Sequence, residues 1–234
     1  MSAIAERLHD LNNRIAAACK ASGRDPAEVY LLAVSKTRAA SDVLTAIEAG
    51  QLHFGENYLQ EALPKVTAVP GADWHFIGAV QSNKTKDIAN NFNWVHSVAS
   101  TKVARRLGQQ RDPDREPLKV MIQVNQSGED TKSGITPDQL EPLSEEIAEM
   151  TCISLQGLMT IPEPGLSEAE QRQRFAGLRR LRDETIERLG IPLPHLSMGM
   201  TADFPAAIME GATWIRIGTA IFGPREPKID PGVN

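Results

Sequence analysis

The chain has 234 residues, 41% of them hydrophobic, which is enough for one substantial core and for one or two domains. The 30 acidic residues outnumber the 25 basic ones, and the net charge of −5 argues against a general nucleic-acid-binding surface, which needs a basic face. No apolar run approaches the length of about 18 residues typical of a membrane span, so we expect neither a span nor a secretory leader. Cys19 and Cys152 form no CxxC motif, which favours a reducing cytoplasm.

The predicted elements alternate between helix and strand. Apolar residues at helical spacing predict an N-terminal helix over residues 3–22, which Gly23 ends. β-rich apolar runs predict eight strands, at 29–36, 52–56, 74–78, 94–98, 118–125, 154–161, 195–199 and 214–218. Helical segments fill the gaps. Ser41 is predicted to cap the helix after the first strand, and Ser167 with Glu170 predicts a capping box.

Eight strands that alternate with helices in about 200 residues are typical of a (β/α)8 barrel. The alternative is an open doubly wound sheet, but its G-x-G-x-x-G phosphate fingerprint is missing after the first strand. We therefore expect an α/β protein with a single (β/α)8 TIM barrel over residues 1–225 and an extra N-terminal helix. The last stretch of the chain is rich in proline and predicts a flexible C-terminal tail over residues 226–234.

Polar residues gather at the predicted strand ends, where the loops of a barrel build its functional site. They are Lys36, Glu56, Asn57, Gly78, Gln81–Lys84, Asn125, Ser197–Gly199, Gly218 and Thr219. The set offers one lysine on a buried strand, several amides and hydroxyls and a Gly-Thr turn, but no paired carboxylates at the strand ends. The five histidines show no metal-binding spacing, so we expect no metal site.

Lys36 is the first candidate for chemistry. Alternate residues of a strand share a face, so Lys36 lies on the same face as Leu32 and Val34. If that face points into the barrel, partial desolvation lowers the pKa of the amine and supplies the neutral form that a Schiff base needs. The alternative is a lysine that extends from the strand end into solvent.

The last strand adds a guanidinium, Arg216, on the face opposite Ile215 and Ile217. Barrels often hold a phosphate after strands seven and eight. The candidate contacts there are Ser197, Gly199, Gly218 and Thr219. In a closed barrel strand eight neighbours strand one, so the phosphate would lie beside Lys36, and this combination suggests pyridoxal 5′-phosphate (PLP). A structural ion pair is the alternative role for Arg216.

Several segments, in chain order, resemble motifs of the pyridoxal phosphate homeostasis protein family. They are Ala33–Thr37, His53–Asn57, His75–Gly78, Gln81–Lys84, Lys132–Ile135, Gly157–Ile161, Ser197–Met200 and Arg216–Gly223. The resemblance extends from about residue 5 to residue 225. It implies a barrel like the N-terminal domain of alanine racemase.

The resemblance also implies a role for each site residue. PLP would form a Schiff base with Lys36, Arg216 would meet the pyridine nitrogen, and Asn57 would line the ring. Ser197, Gly218 and Thr219 would hold the phosphate. Arg38 departs from the family pattern, since many relatives have a lysine there, so we expect no second amine at this position.

An arginine at the pyridine nitrogen favours its unprotonated form and weakens PLP as an electron sink. Racemisation also needs two bases, and alanine racemase takes the second from an additional domain of a partner subunit, for which a chain ending at residue 234 has no room. We therefore expect a non-catalytic, monomeric, cytoplasmic protein of vitamin B6 and amino-acid homeostasis. Its expected partners are PLP and PLP-dependent apo-enzymes. The alternatives are a weak PLP-dependent racemase and a lysine Schiff-base aldolase without PLP.

Overall fold

A computed structural model of the chain describes residues 2–127 and 132–224. Within this range eight parallel strands form a closed barrel in chain order. The strands are β1 (Tyr30–Val34), β2 (His53–Glu56), β3 (Asp73–Phe76), β4 (Trp94–Val98), β5 (Leu118–Gln123), β6 (Ile153–Met159), β7 (His195–Ser197) and β8 (Trp214–Ile217). The predicted (β/α)8 barrel is therefore confirmed. The predicted tail, 226–234, lies outside the described residues.

Helices surround the barrel and connect its strands. They are α1 (Ala3–Ala21), α2 (Ala40–Glu48), α3 (Leu59–Ala68), α4 (Thr85–Asn91), α5 (Thr101–Gln110), α6 (Leu140–Ala148), α7 (Glu168–Leu189), α8 (Phe204–Met209) and α9 (Thr219–Phe222). The predicted N-terminal helix is α1, which packs against α8 and α9. No helix in the described part of the chain is long and apolar enough to cross a membrane.

Two predicted helix caps have different outcomes. The capping box before α7 is confirmed, because the Ser167 N–H donates to the Glu170 carboxylate and the Glu170 N–H donates to the Ser167 hydroxyl. The cap at Ser41 is wrong. Helix α2 begins two residues earlier than a cap at Ser41 would place it, with Ala39 at the N-cap position, so Ser41 already lies in the first turn and cannot cap it.

The buried residues form two layers. The larger cluster lies between the outer face of the strands and the helices, and includes Phe54, Phe175 and Leu196. The smaller cluster fills the inside of the barrel, with Leu32, Ile77, Trp94, Met121, Met159 and Trp214, and Val34 packs against it. Leu32 and Val34 share a face of β1, as the strand alternation predicts, and the structure shows that this face points into the barrel.

The barrel closes between β1 and β8. Leu32 pairs with Arg216 and Ala33 pairs with Ile217 in this parallel ladder. Because parallel strands end at the same rim, the loop after β1 and the loop after β8 lie next to each other. Strand β1 ends at Val34, two residues earlier than predicted, so Lys36 lies in the turn that follows.

Candidate functional site

A pocket of about 210 Å³ opens at the C-terminal end of the strands. Its lining consists of Val34, Lys36, Arg38, Asn57, Ile77, Ile161, Met200, Thr201, Arg216, Gly218 and Thr219. The structure thus brings together five of the seven predicted site residues: Lys36, Asn57, Arg216, Gly218 and Thr219. The other two, Ser197 and Gly199, are not among the lining residues.

The turn that carries Lys36 rests on a buried ion pair. Lys65 Nζ donates to Glu56 Oε1 over 2.6 Å and to the carbonyl oxygen of Ser35 over 2.8 Å, and the Ser35 hydroxyl donates to the same carboxylate oxygen over 2.7 Å. Burial raises the pKa of Glu56, and the Lys65 ammonium opposes that rise. Breaking such a pair is costly, because it leaves a buried charge uncompensated. Since both the hydroxyl and the carbonyl of Ser35 bond to this pair, the pair fixes the position of the residue before Lys36.

The backbone of this turn is unusual. Thr37 has φ of 64°, in the left-handed region that residues other than glycine seldom occupy. Its N–H donates to the Glu61 carboxylate over 3.1 Å, which helps to hold this conformation. Non-glycine residues in this region cluster at functional sites. The half-buried Lys36, immediately before Thr37, lines the pocket.

Arg216 is a buried cation in the pocket wall, with 5% of its surface exposed. Its Nη1 donates to Ser197 Oγ over 2.8 Å and its Nη2 donates to the Thr160 carbonyl over 2.9 Å. Burial lowers the pKa of Arg216 to about 10, and the Asp203 carboxylate opposes this shift, so the guanidinium is charged at neutral pH. Its third nitrogen, Nε, has no acceptor among the residues that the structure describes.

Ser197 and Gly199, the two predicted phosphate contacts that do not line the pocket, lie beneath it and beside α8, respectively. The Ser197 hydroxyl is fully buried inside the barrel, where it contacts Arg216 and His96. Gly199 has φ of 95°, and a Cβ there would lie 2.6 Å from Ala207 Cβ. Glycine at this position therefore allows both the backbone conformation and the close approach of α8. The loop reaches the pocket one residue later, at Met200 and Thr201.

Met200 and Thr201 line the pocket but were not among the predicted site residues. Strand β7 ends at Ser197, and the loop after it lines the pocket only from Met200 onward. The hydroxyl and the backbone N–H of Thr201, which follow the Ser-Met-Gly segment, were the available signal, since the Met200 N–H donates to the Asp203 carboxylate.

Asn57 and the Gly-Thr turn complete the pocket. Asn57 Oδ1 is buried without a hydrogen-bond partner, which is costly unless a ligand supplies a donor. Gly78 allows the Asn57 backbone to approach closely, since a Cβ at residue 78 would lie 2.0 Å from the Asn57 carbonyl oxygen. On the opposite side Gly218 approaches the end of β1, where a Cβ would lie 3.1 Å from the Val34 carbonyl oxygen.

A chain of hydrogen bonds runs inside the barrel from Arg216 towards the other end. Ser197 Oγ lies 2.8 Å from His96 Nδ1, and His96 Nε2 lies 3.0 Å from His75 Nδ1. Burial lowers the pKa of His75 to about 4 and that of His96 well below its ordinary value, so both rings are neutral at pH 7. Because Arg216 only donates, one consistent arrangement has Ser197 donating to His96 and His96 donating to His75.

The histidines are scattered in the sequence but not in space. His53, His75, His96 and His195 lie on four strands, and their rings pack around Trp214 inside the barrel. Sequence spacing could not reveal this, because the contacts come from the register between neighbouring strands: His53 pairs with Asp73, and His75 follows on the same face of β3.

Comparison with known proteins identifies the family. Residues 6–226 match the family model of the alanine racemase N-terminal domain. The pyridoxal phosphate homeostasis protein of Pseudomonas aeruginosa is 51% identical to this chain, and the match covers 97% of each. The chain belongs to the pyridoxal phosphate homeostasis protein family. The Escherichia coli K12 member of this family is 44% identical, with 97% of this chain and 98% of the relative covered.

Solved structures agree with this assignment. PipY of Synechococcus elongatus, in a structure with PLP bound, has a TM-score of 0.83 and 37% identity, and the match covers 94% of this chain and all of PipY. Alanine racemase from Corynebacterium glutamicum has a TM-score of 0.68 and 19% identity, covering 96% of this chain and 61% of the racemase. The racemase shares the barrel fold with this member of the homeostasis protein family.

Proposed function

We propose that this chain binds PLP as a Schiff base on Lys36 and acts, without efficient catalysis, in PLP and amino-acid homeostasis. The observation that carries the proposal is the pocket itself, which joins a half-buried lysine, a buried arginine and the loops after β7 and β8. The names of the relatives and the PLP bound to PipY support it.

The residues of the pocket fit the functional groups of PLP. The aldehyde of PLP supplies the electrophile, and the Lys36 amine supplies the nucleophile. Arg216 Nε offers a donor to an unprotonated pyridine nitrogen, and the unpartnered Asn57 Oδ1 offers an acceptor to a hydroxyl. The Gly218–Thr219 turn and Thr201 offer backbone N–H groups and hydroxyls to a phosphate. The Met200 N–H already donates to the Asp203 carboxylate.

Two predicted contacts take new roles in this proposal. Ser197 acts by fixing the Arg216 guanidinium through Nη1, and Gly199 acts by letting its loop approach α8. The loop residue Thr201 replaces them as a phosphate contact, because it lines the pocket that Lys36 also lines.

The same pocket argues against racemase activity. Racemisation removes a proton from one face of the substrate carbon and returns it to the other, so it needs two positioned acid–base groups. Among the described residues that line the pocket, Lys36 is the one amine, and none carries a carboxylate, imidazole, phenol or thiol. An arginine at the pyridine nitrogen further weakens carbanion stabilisation.

We expect the purified protein to keep PLP through gel filtration, with the visible absorbance of its imine, and to racemise alanine only at trace level. Loss of one general acid–base group costs about 10²–10⁴-fold in rate. Chiral chromatography of alanine incubated with the loaded protein measures this. A turnover of about 1–10³ per second, lost in Lys36→Ala and absent from a mock purification, would instead establish a racemase.

We further infer that the protein acts as a monomer in the cytoplasm and passes PLP to apo-enzymes. The net charge of −5 supports a partner other than nucleic acid. The two cysteines of the chain are free, which supports a reducing compartment.

A further inference from the structure

A second group of polar side chains lies at the N-terminal mouth of the barrel, at the opposite end from the PLP pocket. His53 begins β2, Asp73 begins β3, and His75 follows on the same face. We call these three residues the mouth cluster. It contains one carboxylate and two imidazoles whose ligand atoms all lie within 4.8 Å of one another. The proposed PLP chemistry uses none of them.

Two of the three distances in the mouth cluster are close to those between ligands of a tetrahedral metal ion. His53 Nδ1 lies 3.0 Å from Asp73 Oδ2, and His75 Nε2 lies 3.6 Å from the same oxygen. Zinc bonds to nitrogen and oxygen of about 2.0–2.1 Å place two tetrahedral ligands about 3.3 Å apart. The two distances to Asp73 lie on either side of this value, and the distance between the two imidazole nitrogens is at most 4.8 Å, so these rings would move closer together to share one ion.

The unsatisfied atoms of the mouth cluster independently point to a ligand. His75 is fully buried, yet its Nε2 has no hydrogen-bond partner, and Asp73 Oδ1 is also buried without one. A cation between these atoms would satisfy the buried nitrogen, which otherwise costs free energy.

Surrounding contacts fix the ligand orientations. His75 stacks on Trp94 with an interplanar angle of 4°, and its Nδ1 lies 3.0 Å from His96 Nε2. A histidine that binds a metal through one nitrogen usually donates from the other. With an ion bound, His75 Nδ1 would donate to His96 Nε2 and His96 Nδ1 would donate to Ser197 Oγ, so both histidines would take the opposite tautomer to the one given above for the chain without the ion. His53 packs edge-on against Trp214.

The mouth cluster is also accessible. The side chains of His53 and Asp73 are 29% and 28% exposed, so an ion can enter from solvent at this mouth. Lys119, which extends over Trp94, places a positive charge nearby that opposes cation binding. We therefore expect an exchangeable ion rather than a permanently buried one.

We propose that His53 Nδ1, Asp73 Oδ2 and His75 Nε2 bind one divalent first-row transition-metal ion, with water in the fourth position. Two imidazole ligands favour an ion such as Zn²⁺ over Mg²⁺ or Ca²⁺, which prefer oxygen. Three protein ligands and one open position are typical of accessible zinc sites.

Zn²⁺ titration of the untagged protein against a chromophoric chelator tests the proposal, with PLP-loaded and PLP-free protein in parallel. We expect one ion per chain in both, because the mouth cluster is at the far end of the barrel from the pocket. His53→Gln and Asp73→Asn should each weaken Zn²⁺ binding at least about tenfold. His9→Gln is the matched control, since His9 is exposed on α1, and should bind as the wild type does.

Several outcomes would overturn the proposal. Less than one ion per chain, or wild-type affinity in Asp73→Asn, would show that the mouth cluster binds no metal. Zn²⁺ binding only in the PLP-loaded protein would show that the ion binds the phosphate of PLP and not the mouth cluster. If circular dichroism shows that both variants unfold, an anomalous difference map of a Zn²⁺-soaked wild-type crystal decides, and a peak anywhere other than between His53 and His75 contradicts the site.

Discussion

Lys36→Ala will abolish covalent PLP binding and its visible imine absorbance, while the barrel stays folded. Lys36 is the one amine among the described lining residues of the pocket, and its half-buried turn is held by contacts of neighbouring residues that the substitution leaves in place. The phosphate and ring contacts would still bind PLP reversibly. We expect the apparent affinity to fall at least about tenfold, equivalent to about 1.4 kcal/mol, measured by equilibrium dialysis.

Lys84→Ala is the matched control for this substitution. Lys84 lies in a family motif and lines a neighbouring pocket with Asn57, but it is not among the residues of the pocket that Lys36 lines. It should bind PLP as the wild type does. Imine absorbance retained in Lys36→Ala and lost in Lys84→Ala would move the attachment to the neighbouring pocket.

Arg216→Ala will weaken PLP binding without unfolding the barrel. A hydrogen bond to a charged group contributes about 1.5–3 kcal/mol, which corresponds to about 10–150-fold in the dissociation constant. The substitution also removes one of the two partners of Ser197 Oγ and the arginine donor to the Thr160 carbonyl, so a smaller loss of stability should accompany it. PLP titration and thermal unfolding, each compared with the wild type, separate the two effects.

Arg111→Ala controls for the loss of a buried arginine. Arg111 is 6% exposed, and it donates to the carbonyl oxygens of Ala89, Phe92 and Glu116, outside the pocket. Its loss should lower stability and leave the dissociation constant for PLP unchanged. If Arg216→Ala behaves in the same way, Arg216 is a structural residue and the proposed contact with the pyridine nitrogen is wrong.

Strand alternation allowed much of the barrel and of the pocket to be predicted. Apolar runs with polar ends located all eight strands. The period of two placed Leu32 and Lys36 on one face of β1 and Arg216 on the face of β8 opposite Ile215 and Ile217, and the structure shows that the Leu32 face points into the barrel. Closure of the barrel then placed the turn after β8 beside Lys36. These features depend on local residue patterns and on a general rule of barrel geometry.

Features that depend on where a strand ends could not be predicted. β7 ends at Ser197, so the Ser197 side chain stays inside the barrel and the loop reaches the pocket only at Met200 and Thr201. The mouth cluster was equally hidden, because the register between β2 and β3 brings residues 53 and 73 together across 20 positions of sequence.

Reduction with borohydride, followed by peptide mass spectrometry, tests the proposed PLP attachment most directly. Borohydride converts the imine into a stable amine, so the modified lysine survives digestion and can be located. We predict that the reduced PLP adduct lies on the peptide that contains Lys36. An adduct mainly on Lys84 or Lys132, with Lys36 unmodified, would contradict the proposed site.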